Sequence, residues 1–261
     1  PEPTGFWRKY IFSTDHKVIA KQFLWAGFAF FLVGGYLAML MRWQWAYPGE
    51  PLPWFFGGGI FASSEGVITP STYNVLFTSH GLIMVFWAVT PVLIGAFGNF
   101  CIPLQIGARD MAFPVLNMVS FWTFVVSALL VIASFMMPLG GAAAGWTTYP
   151  PLSTNVGTPG MGQTLMVFGI FVIGVSTIMG AINYVTTVIR FRAPGMGYMR
   201  MPLTVWGLWL TSILNILFVP VLGAGGLLLL LDRLVGTQFF IAGGLRASTG
   251  DPILFQHLFW I

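Results

Sequence analysis

The stretch YNVLFTSHGLIMVFWAVTPVLIGAFGNF, residues 73–100, decides the fold class. It contains no Lys, Arg, Asp or Glu, and it is longer than the roughly 20 apolar residues that a helix needs to cross a bilayer. A backbone in lipid must satisfy its own hydrogen bonds, as helices and closed barrels do. The alternation of apolar and polar residues that is typical of barrel strands is absent from this stretch. The stretch therefore predicts a transmembrane helix.

Similar apolar stretches recur along the chain. Together with residues 73–100 they make five spans, and a sixth span begins near Pro252; the other four are 22–41, 117–138, 162–189 and 204–231. Only 7% of the 261 residues are charged, against about 25% in a soluble domain. The sequence predicts an all-α, polytopic transmembrane helical bundle, with residues 1–261 as a single domain.

The basic residues indicate the orientation of the bundle. If the N-terminus is cytoplasmic, that side holds Arg8, Lys9, Lys17, Lys21, Arg109, Arg190, Arg192 and Arg200, whereas the outer side holds Arg42, Arg233 and Arg246. Cytoplasmic loops of membrane proteins carry the excess of Lys and Arg. We therefore expect a cytoplasmic N-terminus (or a matrix one). The net charge of +4 is small. It therefore reflects the orientation of the bundle and does not indicate a nucleic-acid partner.

Three histidines occur, and His80 differs from the others because it lies inside the second span. An ionisable residue within a membrane helix is a functional candidate. It is either an axial ligand of haem iron, with Gly81 leaving room for a flat macrocycle, or a core imidazole bonded to a neighbouring helix. The residue types alone leave both open. His16 and His257 are expected near an aqueous boundary.

Asp110 occupies the short cytoplasmic loop after the second span, next to Arg109. The simplest interpretation is a solvated ion pair. However, polar side chains continue into the membrane at Asn99, Asn117, Ser176, Thr177 and Asn183. A file of ordered water between them would form a proton wire, and hydrogen bonds between helices would satisfy them equally well.

Arg42 and Trp146 lie on the outer side. Arg42 ends the first span, where it either extends its guanidinium to the interface or bonds a polar substituent of a buried cofactor. Trp146 belongs to a long aromatic outer loop, and interfacial belts explain most such aromatic residues.

These residues stand in a series of longer motifs that cover nearly the whole chain. In this order the motifs make the chain resemble subunit I of the haem–copper oxidases, and most closely that of a cytochrome c oxidase; they are FSTDHKVIA (12–20), YNVLFTSHGLIMVFW (73–87), IGAFGNFCIPLQIGARDMAFPVLNMVSFW (94–122), GWTTYPPLS (145–153), GAINYVTTVI (180–189) and GDPILFQHLFW (250–260). The resemblance implies the catalytic subunit of a terminal respiratory oxidase that reduces oxygen to water and pumps protons.

The resemblance also implies roles for single residues. His80 falls on an axial ligand of the low-spin haem, and Arg42 falls on the arginine that contacts its formyl group, which implies haem A. Trp146 falls on a tryptophan near the side where electrons arrive. Asp110 falls on the mouth of a proton-uptake pathway, and the polar positions further along it are Asn99, Asn117, Ser176, Thr177 and Asn183.

The chain departs from the family pattern at Val115, where an arginine is usual, and at Phe171, where many relatives carry a histidine. The copper ligands, the remaining haem ligands and the cross-linked tyrosine are expected beyond Ile261. A high-spin haem and copper are thus implied outside this sequence, and these residues alone are expected to be catalytically incomplete.

The resemblance favours cytochrome c, or another haem protein, over quinol as the electron donor. Quinol-oxidising relatives carry polar groups at positions that here are Val33, Leu37, Thr72 and Val75. The implied partners are oxidase subunits II and III, and the implied location is a bacterial cytoplasmic membrane, with the mitochondrial inner membrane as the alternative. A nitric oxide reductase would lack the Asp110 pathway, and a transporter would carry charged residues at mid-depth.

Overall fold

The computed structural model describes residues 5–56, 61–138, 140–242 and 250–261; Arg246, counted above on the outer side, lies outside them. Within these ranges the chain is helical and contains no strand. Short helical turns occupy Trp7–Ile11, Trp54–Phe56 and Tyr198–Arg200. The longer helices are α1 (His16–Ala46), α2 (Pro70–Leu82), α3 (Phe97–Ile106), α4 (Pro114–Phe135), α5 (Met161–Arg190), α6 (Leu203–Leu234) and α7 (Pro252–Phe259).

Five helices are long and apolar enough to cross a membrane, which confirms the five predicted spans. The first span begins at His16, earlier than the hydropathy of 22–41 predicts. The cause is Asp15, whose Oδ1 accepts hydrogen bonds from the backbone amides of Lys17 and Val18 at 2.8 and 3.1 Å. A side-chain cap of this kind starts a helix within polar sequence that hydropathy alone does not include.

The second span runs from Pro70 to Ile106 but is not a regular α-helix throughout. Wider, π-helical turns at Ile83–Val89 and Pro91–Ala96 join α2 to α3. Pro91 has no backbone N–H, so the ordinary pattern of hydrogen bonds is interrupted there. The hydroxyl of Thr90 donates instead to the carbonyl of Val85 at 2.7 Å. Such turns frequently occur at functional sites.

The helices form one bundle. The first helix packs along the whole second span and also contacts α4, while α5 lies between α4 and α6. The inner end of the second span, α3, reaches α5 and α6, and α7 packs on α6. The largest apolar core lies between α1, the second span and α4, and includes Leu37, Leu82, Trp87 and Phe124.

Two glycines allow helices to approach closely. A Cβ at position 34 of α1 would lie 2.6 Å from Met84 Sδ, and a Cβ at position 98 of α3 would lie 2.6 Å from Cε2 of Tyr184. Both distances are far shorter than van der Waals contact. Small residues at helix interfaces in membranes permit this packing, and here they bring α1 and α5 against the second span.

A buried arginine fastens the outer loop that precedes α5. Arg233 lies in the last turn of α6 and is 6% exposed. Its Nε donates to Thr164 Oγ1 at 2.9 Å, and its Nη atoms donate to the carbonyls of Ser153, Thr158 and Gly160 at 2.6, 3.0 and 2.7 Å. One guanidinium therefore binds three carbonyls of this loop.

Replacing Arg233 with Leu should lower the free energy of unfolding by about 3 kcal/mol, because it leaves several buried acceptors unpaired. The thermal unfolding midpoint of the protein in detergent measures the effect. The exposed Arg190 at the other end of the bundle is the matched control, and Arg190→Leu should change stability by less than about 0.5 kcal/mol. Equal midpoints for the two variants would contradict the prediction.

Candidate functional site

The structure places His80 in the last turns of α2, facing α1. Its Nδ1 lies 2.9 Å from the carbonyl oxygen of Gly34, so Nδ1–H is the donor. No described residue bonds Nε2, and the imidazole is only half-buried. A metal-ligating imidazole commonly donates one ring N–H to a carbonyl, which fixes the tautomer and leaves the other nitrogen for the metal. The geometry thus suits a haem ligand.

The outer loop closes over α2 beside His80. The backbone amide of Gly145 donates to the hydroxyl of Thr78 at 2.9 Å. A Cβ at Gly81 would lie 2.9 Å from Cβ of Trp146. The space that a side chain at position 81 would occupy is therefore taken by Trp146. The tryptophan belongs to the wall next to His80.

Arg42 lies on α1, eight residues after Gly34, which corresponds to a rise of about 12 Å along the helix. Its side chain is exposed, and it forms no hydrogen bond with any residue that the structure describes. It lies on the same outer side as His80 and Trp146. Among the described residues, no group of three or more His, Cys, Asp and Glu side chains is placed to hold a metal ion.

At the opposite end of the second span, Asp110 is half-buried in the loop before α4. Its Oδ1 accepts a hydrogen bond from the amide of Met111 at 2.7 Å. Burial raises the pKa of this carboxyl above its ordinary value of 3.8, against the opposing effect of the Met111 amide and of His16. Arg109 does not contribute to this shift of the pKa.

His16, expected near an aqueous boundary, is the first residue of α1 and is buried within the protein. It is 2% exposed, and its Nδ1–H donates to the backbone carbonyl of Asn99 at 2.8 Å. The adjacent Asp15 cap and the start of α1 bring this imidazole under α3. Hydropathy could not reveal this, because the residue lies in a polar segment of sequence.

Asn99 and Asn117 meet in the interior, as their positions suggested. Asn117 Nδ2 donates to Asn99 Oδ1 at 2.6 Å, and Asn99 Nδ2 donates to Tyr184 Oη at 2.8 Å and to the carbonyl of Gly95 at 2.6 Å. Asn117 Oδ1 is buried and has no partner among the described residues. A buried orphan acceptor of this kind calls for an ordered water.

Asn183 acts differently from the other polar residues. Its Oδ1 accepts from the amide of Phe113 at 2.9 Å, and its Nδ2 donates to the carbonyl of the same residue at 3.3 Å. The amide of Ala112 donates to Thr187 Oγ1 at 2.9 Å. Asn183 and Thr187 on α5 therefore hold the segment that directly follows Asp110.

A cavity of about 40 Å³ lies beyond the asparagines and is lined by Ser120, Ser176, Thr177 and Tyr184. The hydroxyls of Ser120 and Ser176 donate to the carbonyls of Asn117 and Ser120, both at 2.7 Å. Their oxygen lone pairs are left to accept from water. The volume holds about three waters. Sequence reasoning missed His16, Ser120 and Tyr184; an isolated tyrosine beside Asn183 in an apolar span was the available signal for the last.

Comparison with known proteins gives a consistent result. A family model described as "Cytochrome C and Quinol oxidase polypeptide I" matches residues 18–261. The alternative cytochrome c oxidase subunit 1 of Bradyrhizobium diazoefficiens is 41% identical over 99% of this chain and 43% of its own length. Cytochrome c oxidase subunit 1 of Thermostichus vulcanus is 40% identical over 100% of this chain and 44% of its own length.

The chain thus spans less than half the length of the curated relatives it matches. The match to the family model extends from the first helix to the last described residue and includes His80 and Asp110. Its five long apolar helices make it an integral membrane protein. The chain belongs to the cytochrome c and quinol oxidase polypeptide I family.

Proposed function

We propose that this chain is part of the catalytic subunit of a terminal respiratory oxidase. The protein takes electrons from cytochrome c, reduces oxygen to water and couples this reaction to proton uptake and pumping. The observation that carries the proposal is His80, whose Nδ1–H is held by Gly34 while its Nε2 has no partner among the described residues. Family membership supports the same conclusion.

His80 is proposed as an axial ligand of a low-spin haem A. The haem, when bound, accepts and passes on single electrons. The hydrogen bond to Gly34 orients the imidazole and raises its basicity, which strengthens it as a ligand. Arg42 is proposed to bond the formyl group of the haem, and its lack of a described partner leaves the guanidinium available for that role. Trp146 forms part of the wall beside His80.

A proton-uptake path is proposed to start at Asp110 and to pass Asn99 and Asn117 toward the cavity lined by Ser176 and Thr177. Three observations support it: the half-buried carboxyl, the orphan oxygen of Asn117 and a cavity that is large enough for water and has hydroxyl groups in its lining. Each hydroxyl at the cavity donates to a backbone carbonyl, so it offers lone pairs to a chain of waters. Asn183 keeps the mouth of the path in place.

Cytochrome c is proposed as the donor rather than quinol. Val33 and Leu37 line an apolar groove of about 780 Å³ between α1 and α4, and Thr72 and Val75 line a neighbouring cavity of about 200 Å³. Of these four side chains only Thr72 can form a hydrogen bond. A quinol head group needs several hydrogen bonds, so these four positions do not favour its oxidation.

The rest of the oxygen-reducing centre is proposed to come from residues outside this sequence. These residues would bind a high-spin haem and copper, and subunits II and III would complete the assembly. The membrane is proposed to be the bacterial cytoplasmic membrane. Its cytoplasmic face would contact the loop of Asp110, the side that the basic residues favour.

Replacing His80 with Ala should abolish the low-spin haem A absorbance bands while the protein remains inserted in the membrane, because no other described side chain replaces Nε2. Difference absorbance spectra of the purified oxidase measure the loss. The matched control is Ser79→Ala on the same helix, whose buried hydroxyl has no partner. A normal low-spin spectrum in the His80 variant would refute the ligand assignment.

Replacing Asp110 with Asn should slow proton uptake at least about tenfold with the haem bands intact, because the amide cannot accept and release a proton. Stopped-flow uptake measurements with a pH indicator follow the rate. Arg109→Gln changes the neighbouring charge and leaves the carboxyl, so it should retain fast uptake. Unchanged turnover and pumping in the Asp110 variant would count against the path.

The Asp110 carboxyl should titrate above 3.8, because burial disfavours its charged form. The protonated form then stabilises the folded protein at acidic pH, and this contribution is lost as the pH rises from 3.8 through the raised pKa. Infrared difference spectra over pH, with Asp110→Asn to identify the band, measure the midpoint. A midpoint at or below 3.8 would disprove the effect of burial.

A further inference from the structure

Tyr184 lies between the pair of Asn99 and Asn117 and the cavity of about 40 Å³. It is 2% exposed, on the face of α5 that meets α3, and its ring lies against Gly98. Its hydroxyl accepts from Asn99 Nδ2 at 2.8 Å and can donate to the carbonyl of Ile94 at 3.0 Å or to that of Gly95 at 3.3 Å. The same side chain lines the cavity.

The Asn99 amide is fully engaged only because of this hydroxyl. Its Oδ1 accepts from Asn117, one of its two N–H groups donates to Gly95, and the other donates to Tyr184. Rotation of the amide by half a turn would place N–H groups against the Asn117 N–H donors and lose these bonds. The Gly95 carbonyl, which can only accept, and the Tyr184 hydroxyl, whose proton is directed at Ile94 or Gly95, therefore together fix which way the amide faces.

The orientation of the Asn99 amide determines which atom of the Asn117 amide is left unbonded. With Asn99 Oδ1 as the acceptor, Asn117 points its Nδ2 at Asn99, and no described residue bonds its own Oδ1. That buried acceptor is the group to which a water between the asparagines and the cavity can bond. If Asn99 were free to rotate, this acceptor would no longer be reserved for water.

We propose that Tyr184 is a positioning residue for proton uptake: its hydroxyl locks the Asn99 amide so that Asn117 Oδ1 stays open to water. This inference rests on the proposed function. Tyr184 is also the residue whose single hydroxyl proton has two alternative acceptors, Ile94 and Gly95, at the rim of the cavity. The hydroxyl can thus adjust to the water without releasing Asn99, toward which it acts as an acceptor.

The test uses the complete oxidase. Tyr184→Phe removes the hydroxyl and keeps the ring that packs on Gly98. We expect haem bands like those of the parent protein and proton uptake slowed about three- to tenfold, the effect of losing one or two hydrogen bonds. The same substitution in an Asn99→Ala background should have no further effect, because the group through which Tyr184 acts is gone.

A second variant reaches the hydroxyl from the other side. A Cβ at Gly98 would lie 2.6 Å from Cε2 and 2.9 Å from Oη of Tyr184, so Gly98→Ala displaces the ring together with its hydroxyl, and uptake should slow as in Tyr184→Phe. The proposal fails if Tyr184→Phe takes up protons normally while Asp110→Asn is slow, a result that leaves the proposed function intact. It also fails if the effect is equal with and without Asn99. Normal uptake in all these variants, Asp110→Asn included, would overturn the proposed uptake path itself.

Discussion

The hydrogen bond from His80 to the carbonyl of Gly34 joins the first two spans at the point where the proposed cofactor binds. It requires α1 to lie so close to the second span that position 34 has no space for a side chain beside Met84. The bond also determines the chemistry, because it assigns the proton to Nδ1 and leaves Nε2 as the free nitrogen. Helix packing and ligand orientation therefore have one cause.

The two polar groups of the bundle lie at opposite ends of the second span, and this separation suits a vectorial process. His80 lies toward the outer end with Arg42 and Trp146, whereas Asn99 lies toward the inner end near Asp110 and His16. The apolar core between α1, the second span and α4 separates them. Electrons and protons would thus approach the reaction from different sides.

The sequence predicted the spans well because hydropathy over about 20 residues reports directly on burial in lipid. It also indicated that Asn99 and Asn117 belong together, since two amides in apolar helices need partners. It did not predict the burial of His16, which depends on the Asp15 cap, nor the contact of Gly81 with Trp146, which depends on the path of a long loop. The bond between Asn99 and Tyr184 depends on how each helix is rotated about its axis. That rotation cannot be predicted from the spacing of residues along the sequence.

The π-helical turns in the middle of the second span have a consequence for its geometry. A π-turn is equivalent to one extra residue in an α-helix, so it rotates everything that follows it by about 100°. The outer half of the span faces α1, and the inner half can face α5 and α6. Deleting one residue between Ile83 and Val89 would remove the first of these turns and rotate Asn99 away from Tyr184. The alignment of the two ends therefore depends on a register offset, and even a shortening of the span by one residue would disrupt it.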